Sequence, residues 1–317
     1  MPDTGIVIGV DAGGTHTRAL CAGADGEARG TGQGGGGNPV SNGVAAAVEH
    51  ATEAVRAALA GTDPAAVAHV LVGQAGYGTA AGREVAGTLP GRWAELGLTA
   101  PVTVVTDIEV AYAAGSPDPD GVLVLSGTGA VAAEIRAGTR VRQVDGHGWL
   151  VGDEGSGFWL GREAVRAALA ALDGRGPATA LTEPVAAALA AEPTLRSLVP
   201  AVYAGAPIRL AGLAPLVSEA AAAGDPVAAG IAATAAEALL VTAGALEPGR
   251  YRRAVLAGSV LLSPGPVAAA VRTGLRERFG LDVRDAGHGA GGAAALALYR
   301  HTGAPVPEEV HRRLTSC

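Results

Sequence analysis

Short buried runs punctuated by glycine set the rhythm of this chain. Gly5 to Val10 is continuously apolar, ends at Asp11-Ala12-Gly13-Gly14-Thr15, and resumes as a strand pattern from Thr17 to Cys21. The pattern predicts two strands joined by a tight glycine hairpin. A glycine-rich loop, Thr31 to Asn38, precedes a helical pattern from about Val40 to Ala60 with an Ala/Val face. Ala68 to Val72 and Val102 to Val105 read as further buried strands, ending at Gly73-Gln74-Ala75-Gly76-Tyr77 and Thr106-Asp107. Strand and helix alternate as in an α/β layer.

From Gly121 the opening unit is repeated. Val122 to Leu125 is a strand, Ser126-Gly127-Thr128-Gly129 a turn, and Val131 to Arg136 the returning strand. The repeat predicts two similar α/β domains with a cleft between them. The Pro/Asp-rich stretch Ser116 to Asp120 places the boundary near residue 117, giving domains 1–117 and 118–317. Ala-rich helical patterns follow at about 161–172, 183–191 and 226–245. A buried strand, Ala254 to Ala257, then ends at Gly258-Ser259, and a last helix is expected near 290–301.

Composition narrows the chemistry. All 23 basic residues are Arg, so mechanisms that need a P-loop, protein-kinase or Schiff-base lysine are excluded. A net charge of -7 without a basic cluster argues against nucleic-acid binding. Apolar runs break well before the ~20 residues of a membrane span, and Met1 to Gly5 shows no basic, cleavable leader, so a cytoplasmic location with no membrane partner is expected. Two cysteines, Cys21 and Cys317, cannot build a zinc site or a four-cysteine cluster within one chain and read as ordinary thiols.

Three strand ends carry turns rich in Gly, Thr or Ser, where backbone amides can approach a polyphosphate that a Cβ would exclude. Singly, each is as well read as a hairpin. Asp11, at the first of them, is a candidate Mg²⁺ ligand through water, and Asp107 a candidate acceptor for the proton of an attacking hydroxyl. Either alone would be a turn or cap residue, but both fall at the carboxyl edge of one sheet, where ligands bind. The densest stretch is Gly146 to Trp159, with aromatics, two adjacent acids and five glycines before a helix. Asp153, with Glu154 as alternate, is the sugar-binding candidate, and Ser156 reads equally as a helix cap. Asn38 is either a turn and helix start or a contact to a ligand hydroxyl or acetamido group. The histidines at 16, 50, 69, 288, 301 and 311 have no metal-ligand spacing.

Together these residues resemble the sugar kinase, heat-shock ATPase and actin superfamily. Asp11 to Thr17 is similar to its first phosphate motif, Ser126 to Gly129 to its second, and Val255 to Val260 to its adenosine motif. Through Gly148-Trp149-Leu150-Val151-Gly152-Asp153-Glu154-Gly155-Ser156-Gly157 the nearest resemblance is to the N-acetylglucosamine kinases of the BadF/BadG/BcrA/BcrD-type ATPase family. It implies two duplicated ribonuclease H-like domains of the actin/hexokinase type flanking a central cleft, with the last helix packing back on the N-terminal domain. It also implies ATP and Mg²⁺ as cofactors, an amino sugar as substrate, and a homodimer. On that resemblance Asp107 is the base for the C6 hydroxyl. Asn38, Gly76, His147, Gly148 and Asp153 line the sugar. Asp11, Gly13, Gly14, Thr15, Thr17, Gly127, Thr128, Gly129, Gly258 and Ser259 serve the nucleotide. Ala130 and His147 depart from the family pattern, which has Ser and Trp there. Competing readings are an activator ATPase of a dehydratase, which would hold an iron–sulfur cluster between subunits, and a non-catalytic nucleotide or sugar sensor.

Overall fold

The computed structural model describes residues 5–316, so Cys317 lies outside the described residues. Ten strands form two five-stranded sheets: β1 Ile6–Ala12, β2 Thr17–Gly23, β3 Ala28–Gly34, β4 Val67–Gln74 and β5 Val102–Thr106 in the first, and β6 Gly121–Ser126, β7 Ala130–Arg136, β8 Thr139–Asp145, β9 Arg253–Ala257 and β10 Asp282–Asp285 in the second. Their orders are β3-β2-β1-β4-β5 and β10-β9-β6-β7-β8. Each sheet is therefore a three-strand meander, with the first strand of the meander next to a later one. β1 is antiparallel to β2 and parallel to β4, and β6 is parallel to β9. The expected duplicated α/β architecture is present. The chain groups into two compact units, one of Met1–Gly121, Ile135–Arg140 and Arg284–Cys317, the other of Val122–Glu134 and Val141–Val283.

Within the first unit, one sheet face is covered by the helices Val44–Ala58 and Ala80–Ala94 and the other by Asp107–Gly115 and Gly289–Thr302. Close packing explains the glycines of β3, a segment whose sequence reads as a loop. A Cβ on Gly30, Gly32 or Gly34 would lie 2.4, 1.9 or 2.1 Å from the carbonyl oxygens of Ala58, Ala54 and His50, so this strand seats directly on the backbone of helix Val44–Ala58. The helix expected from Val40 to Ala60 is broken at Gly43, whose φ of +82° separates a short turn, Pro39–Asn42, from Val44–Ala58.

In the second unit, Pro226–Gly244 is long and apolar enough for a membrane span by length and composition. Its Ala228, Ala232, Ala235, Ala236, Leu239 and Leu240 are nevertheless buried in the core beside Phe158, Leu160, Val217, Val271 and Leu275. An Ala-rich helix at this position is core material.

Candidate functional site

The first unit gathers its candidate residues at the carboxyl ends of β1, β4 and β5, because parallel pairing aligns those ends. Asp11 stands opposite Gly73, and Gln74 opposite both Ala12 and Thr106, so Asp107 follows directly at the start of helix Asp107–Gly115. That helix start is fixed by a capping box in which the Thr106 hydroxyl and Glu109 carboxylate satisfy each other's backbone N–H groups. Glu109 Oε2 accepts from Thr106 N at 3.1 Å. Asp107 itself is left open at the edge.

Burial pushes the Asp11 carboxyl up to about 6, with the Asp107 charge adding to the rise and Arg18 opposing it. Asp107 is also raised, chiefly because surrounding protein strips water from it; Glu109 adds to this, while the N–H groups of residues 107 and 108 and Arg140 oppose it. Both carboxyls thus hold a proton more tightly than a carboxylate in water, the direction that a proton acceptor at a reacting hydroxyl requires. Among the described residues no three His, Cys, Asp or Glu side chains converge as a metal cage. One carboxylate at a glycine turn fits the coordination of Mg²⁺, which retains water and phosphate oxygens in place of an all-protein shell.

Gly13, Gly14 and Thr15 form the tip of the β1–β2 hairpin, closed by Gly13 N donating to His16 O at 3.0 Å, with Gly14 and Thr15 exposed. Thr17 is fully buried and its hydroxyl donates to Gly35 O at 2.8 Å. This expected phosphate contact is thus engaged inside the chain. Asn38 caps the turn Pro39–Asn42, accepting from Val40 N at 2.9 Å, and a Cβ on Gly76 would lie 2.8 Å from its Oδ1. Asn38 and Gly76 are therefore neighbours, as expected of one ligand subsite. Asn42, absent from the sequence reading, ties hairpin to loop by donating from Nδ2 to Gly14 O at 3.0 Å and Asn38 O at 3.1 Å. Only its place one helical turn beyond Asn38 hinted at this.

The second unit makes a separate group. Gly127, Thr128 and Gly129 turn between β6 and β7, and Gly258 abuts them: its φ is +85° and a Cβ there would lie 2.3 Å from Ser126 O. Gly127 O accepts from Gly157 N at 2.7 Å, fixing the start of helix Gly157–Leu172 against the turn. Beside it opens a cavity of about 450 Å³ lined by Gly127, Thr128, Gly212, Ser218, Glu219 and Ser259 among others, large enough for a nucleoside. Residues 211–219 carry no motif and were not legible as a wall of this cavity.

Asp153 is buried beside the same turn, in the left-handed region at φ +58°. Desolvation raises its carboxyl most and Asp145 adds to this, while the N–H groups of Ala130 and Gly148 and His147 oppose the rise. Its Oδ2 would lie 2.7 Å from a Cβ on Gly129. The strained turn is held by Asp145, whose Oδ1 and Oδ2 accept from Asp153 N at 2.8 Å and Glu154 N at 3.0 Å. His147 is exposed and Gly148 half-buried in the same loop. Ser156 proves to be the cap, accepting from Trp159 N at 3.1 Å. Asp11, Asn38, Gly76 and Asp107 thus share the first unit, and Thr128, Gly129, His147, Asp153 and Gly258 the second.

The family model described as the BadF/BadG/BcrA/BcrD ATPase family matches residues 8–297. An 86-residue stretch is 40% identical to an N-acetylmuramic acid/N-acetylglucosamine kinase of Clostridium acetobutylicum, covering 27% of this chain and 28% of that protein's length. Among solved structures, an inferred N-acetylglucosamine kinase from Chromobacterium violaceum superimposes with a TM-score of 0.69 at 28% identity, over 92% of this chain and 99% of that one. A glucokinase of the ROK family from Streptomyces griseus, solved with glucose and AMPPNP, shares the fold at a TM-score of 0.53 and 20% identity, over 92% and 98% of the two chains.

Proposed function

The chain belongs to the BadF/BadG/BcrA/BcrD ATPase family, and on that footing we propose that it is an ATP-dependent sugar kinase that phosphorylates the 6-hydroxyl of N-acetylglucosamine or a close amino-sugar relative. One observation carries the reading: an aspartate, Asp107, stands open at a sheet's carboxyl edge with its proton affinity raised and a second carboxyl, Asp11, close enough to be felt. Kinship to the Clostridium and Chromobacterium kinases supports the substrate class.

In this reading Asp107 accepts the proton of the sugar hydroxyl as its oxygen bonds to the γ-phosphorus and the bond to the departing ADP breaks. Gly13, Gly14 and Thr15 offer phosphate donors from the first hairpin, while Gly127 to Gly129 serve the phosphates and Gly258 with Ser259 the nucleoside. Asn38, Gly76, His147, Gly148 and Asp153 are the proposed sugar-binding residues. Mg²⁺, when bound, neutralises phosphate charge, and Asp11 is the residue that would hold it through water. Thr17 is a positioning residue, holding the loop at Gly35. A homodimer working on a small molecule without nucleic acid or membrane completes the proposal.

The activator reading is disfavoured by Cys21, which is completely buried in β2 and so is not available to a cluster shared between chains. Coupled ADP release over a panel of amino sugars, followed by NMR of the product, tests the proposal. Sugar-dependent release with phosphate on O6 is expected; sugar-independent ATP hydrolysis would refute it.

A further inference from the structure

The cavity beside the turn Gly127 to Gly129 has an uneven chemistry. Among the described residues that line it, one alone is charged, Glu219, and none is Asn, Gln, His, Arg or aromatic. Glu219 lies on helix Ala214–Ala222, where Pro215, Ser218 and Glu219 recur at the spacing of one helix face and line the cavity together, while Val217 turns into the core. Glu219 is exposed, and its carboxylate has no hydrogen bond or ion pair among the described residues. An unpaired carboxylate repels the phosphates of a nucleotide. It therefore belongs to a part of the cavity that takes something other than phosphate.

Helix geometry shows which part. A Cβ on Gly157, which is bonded to the phosphate turn, would lie 3.5 Å from Ala211 O and 3.7 Å from the Cβ of Ala214, so the start of helix Ala214–Ala222 adjoins that turn. Glu219 stands about 7 Å further along by helical rise. Next beyond the phosphates, a nucleoside presents its vicinal 2′- and 3′-hydroxyls, two adjacent donors that match the two oxygens of a carboxylate. The base is left with the apolar walls Leu160, Val260 and Pro264 and with the hydroxyls of Ser218 and Ser263, which donate or accept with equal ease. Such walls cannot strongly reject one base for another, because rejection needs a fixed donor or acceptor that the wrong base leaves unpaired. We infer that the cavity selects its nucleotide by the ribose and not by the base, with Glu219 as the specificity-determining residue accepting from the 2′- and 3′-hydroxyls. The cosubstrate class is then ribonucleoside triphosphates, GTP and CTP included, in preference to deoxynucleotides. The inference rests on reading this cavity as the nucleoside site of the kinase.

Calorimetric titration of ADP, 2′-deoxy-ADP, GDP and CDP into wild type and Glu219→Ala tests it, with melting of both proteins, which should agree because the residue is exposed. Wild type should bind 2′-deoxy-ADP roughly 10-fold more weakly than ADP, and Glu219→Ala should bind the two alike at the weaker affinity. GDP and CDP should bind wild type within about tenfold of ADP. Glu219→Gln, which keeps one acceptor and loses the charge, should fall between. An undiminished preference for ADP over 2′-deoxy-ADP in Glu219→Ala, no such preference in wild type, GDP or CDP weaker than ADP by more than about tenfold, or no nucleotide binding at all would overturn the inference. Ribose-dependent binding without sugar-dependent ADP release would leave the role of Glu219 standing while refuting the kinase reading; sugar-dependent release with ribose-blind binding would do the reverse.

Discussion

Asp11 and Asp107 illustrate how far position alone changes a side chain. In water both are ordinary carboxylates; at the edge of this sheet both are raised, Asp11 to about 6. Its native proton affinity exceeds the unfolded one, so the native state gains stability as pH falls through 6 toward 4 and loses it as pH rises through the same window. Asp11→Asn should consequently match wild type near pH 4 and exceed it above pH 6 by on the order of 1–3 kcal/mol, read from chemical denaturation at both pH values. A variant no more stable than wild type at pH 7 would show that the carboxyl is not desolvated. If Asp11 holds the metal, the same substitution should also raise the magnesium concentration needed for half-maximal turnover.

Elements in this chain are positioned by glycines and caps, and this decides which of them the sequence reveals. Strands β1, β4, β6 and β9 are legible because they are continuously apolar. β3 is not, because its alternating glycines, which read as loop, are there to let a helix backbone approach within contact distance. Gly32→Ala should therefore lower stability by about 3 kcal/mol or more although it adds a single methyl group to a strand. The same logic hides Asn42 and Asp145, whose value is two hydrogen bonds apiece to backbone atoms of neighbouring turns and loops. Ser156 was ambiguous for a related reason: capping and ligand contact ask for the same hydroxyl. Ser156→Ala should cost about 1 kcal/mol of stability, as cap removals do, with sugar affinity little altered; a large loss of sugar affinity at unchanged stability would return Ser156 to the binding residues.

At the scale of the whole molecule, the first unit is assembled from both ends of the chain. Helix Gly289–Thr302 lies so close to β1 that a Cβ on Gly9 would fall 2.1 Å from Ala294 N. Deleting residues 284–317 should expose this sheet face and unfold the unit, turning the buried Cys21 thiol reactive toward a thiol reagent; a protected Cys21 in the truncated protein would contradict that dependence. The account as a whole depends on Asp107 taking a proton during transfer to a sugar. The direct measurement is single-turnover phosphorylation of N-acetylglucosamine by wild type and Asp107→Asn, with sugar affinity determined in parallel. A rate lower by about two to four orders of magnitude at comparable ATP affinity is predicted, and equal transfer rates in the two proteins would contradict the account.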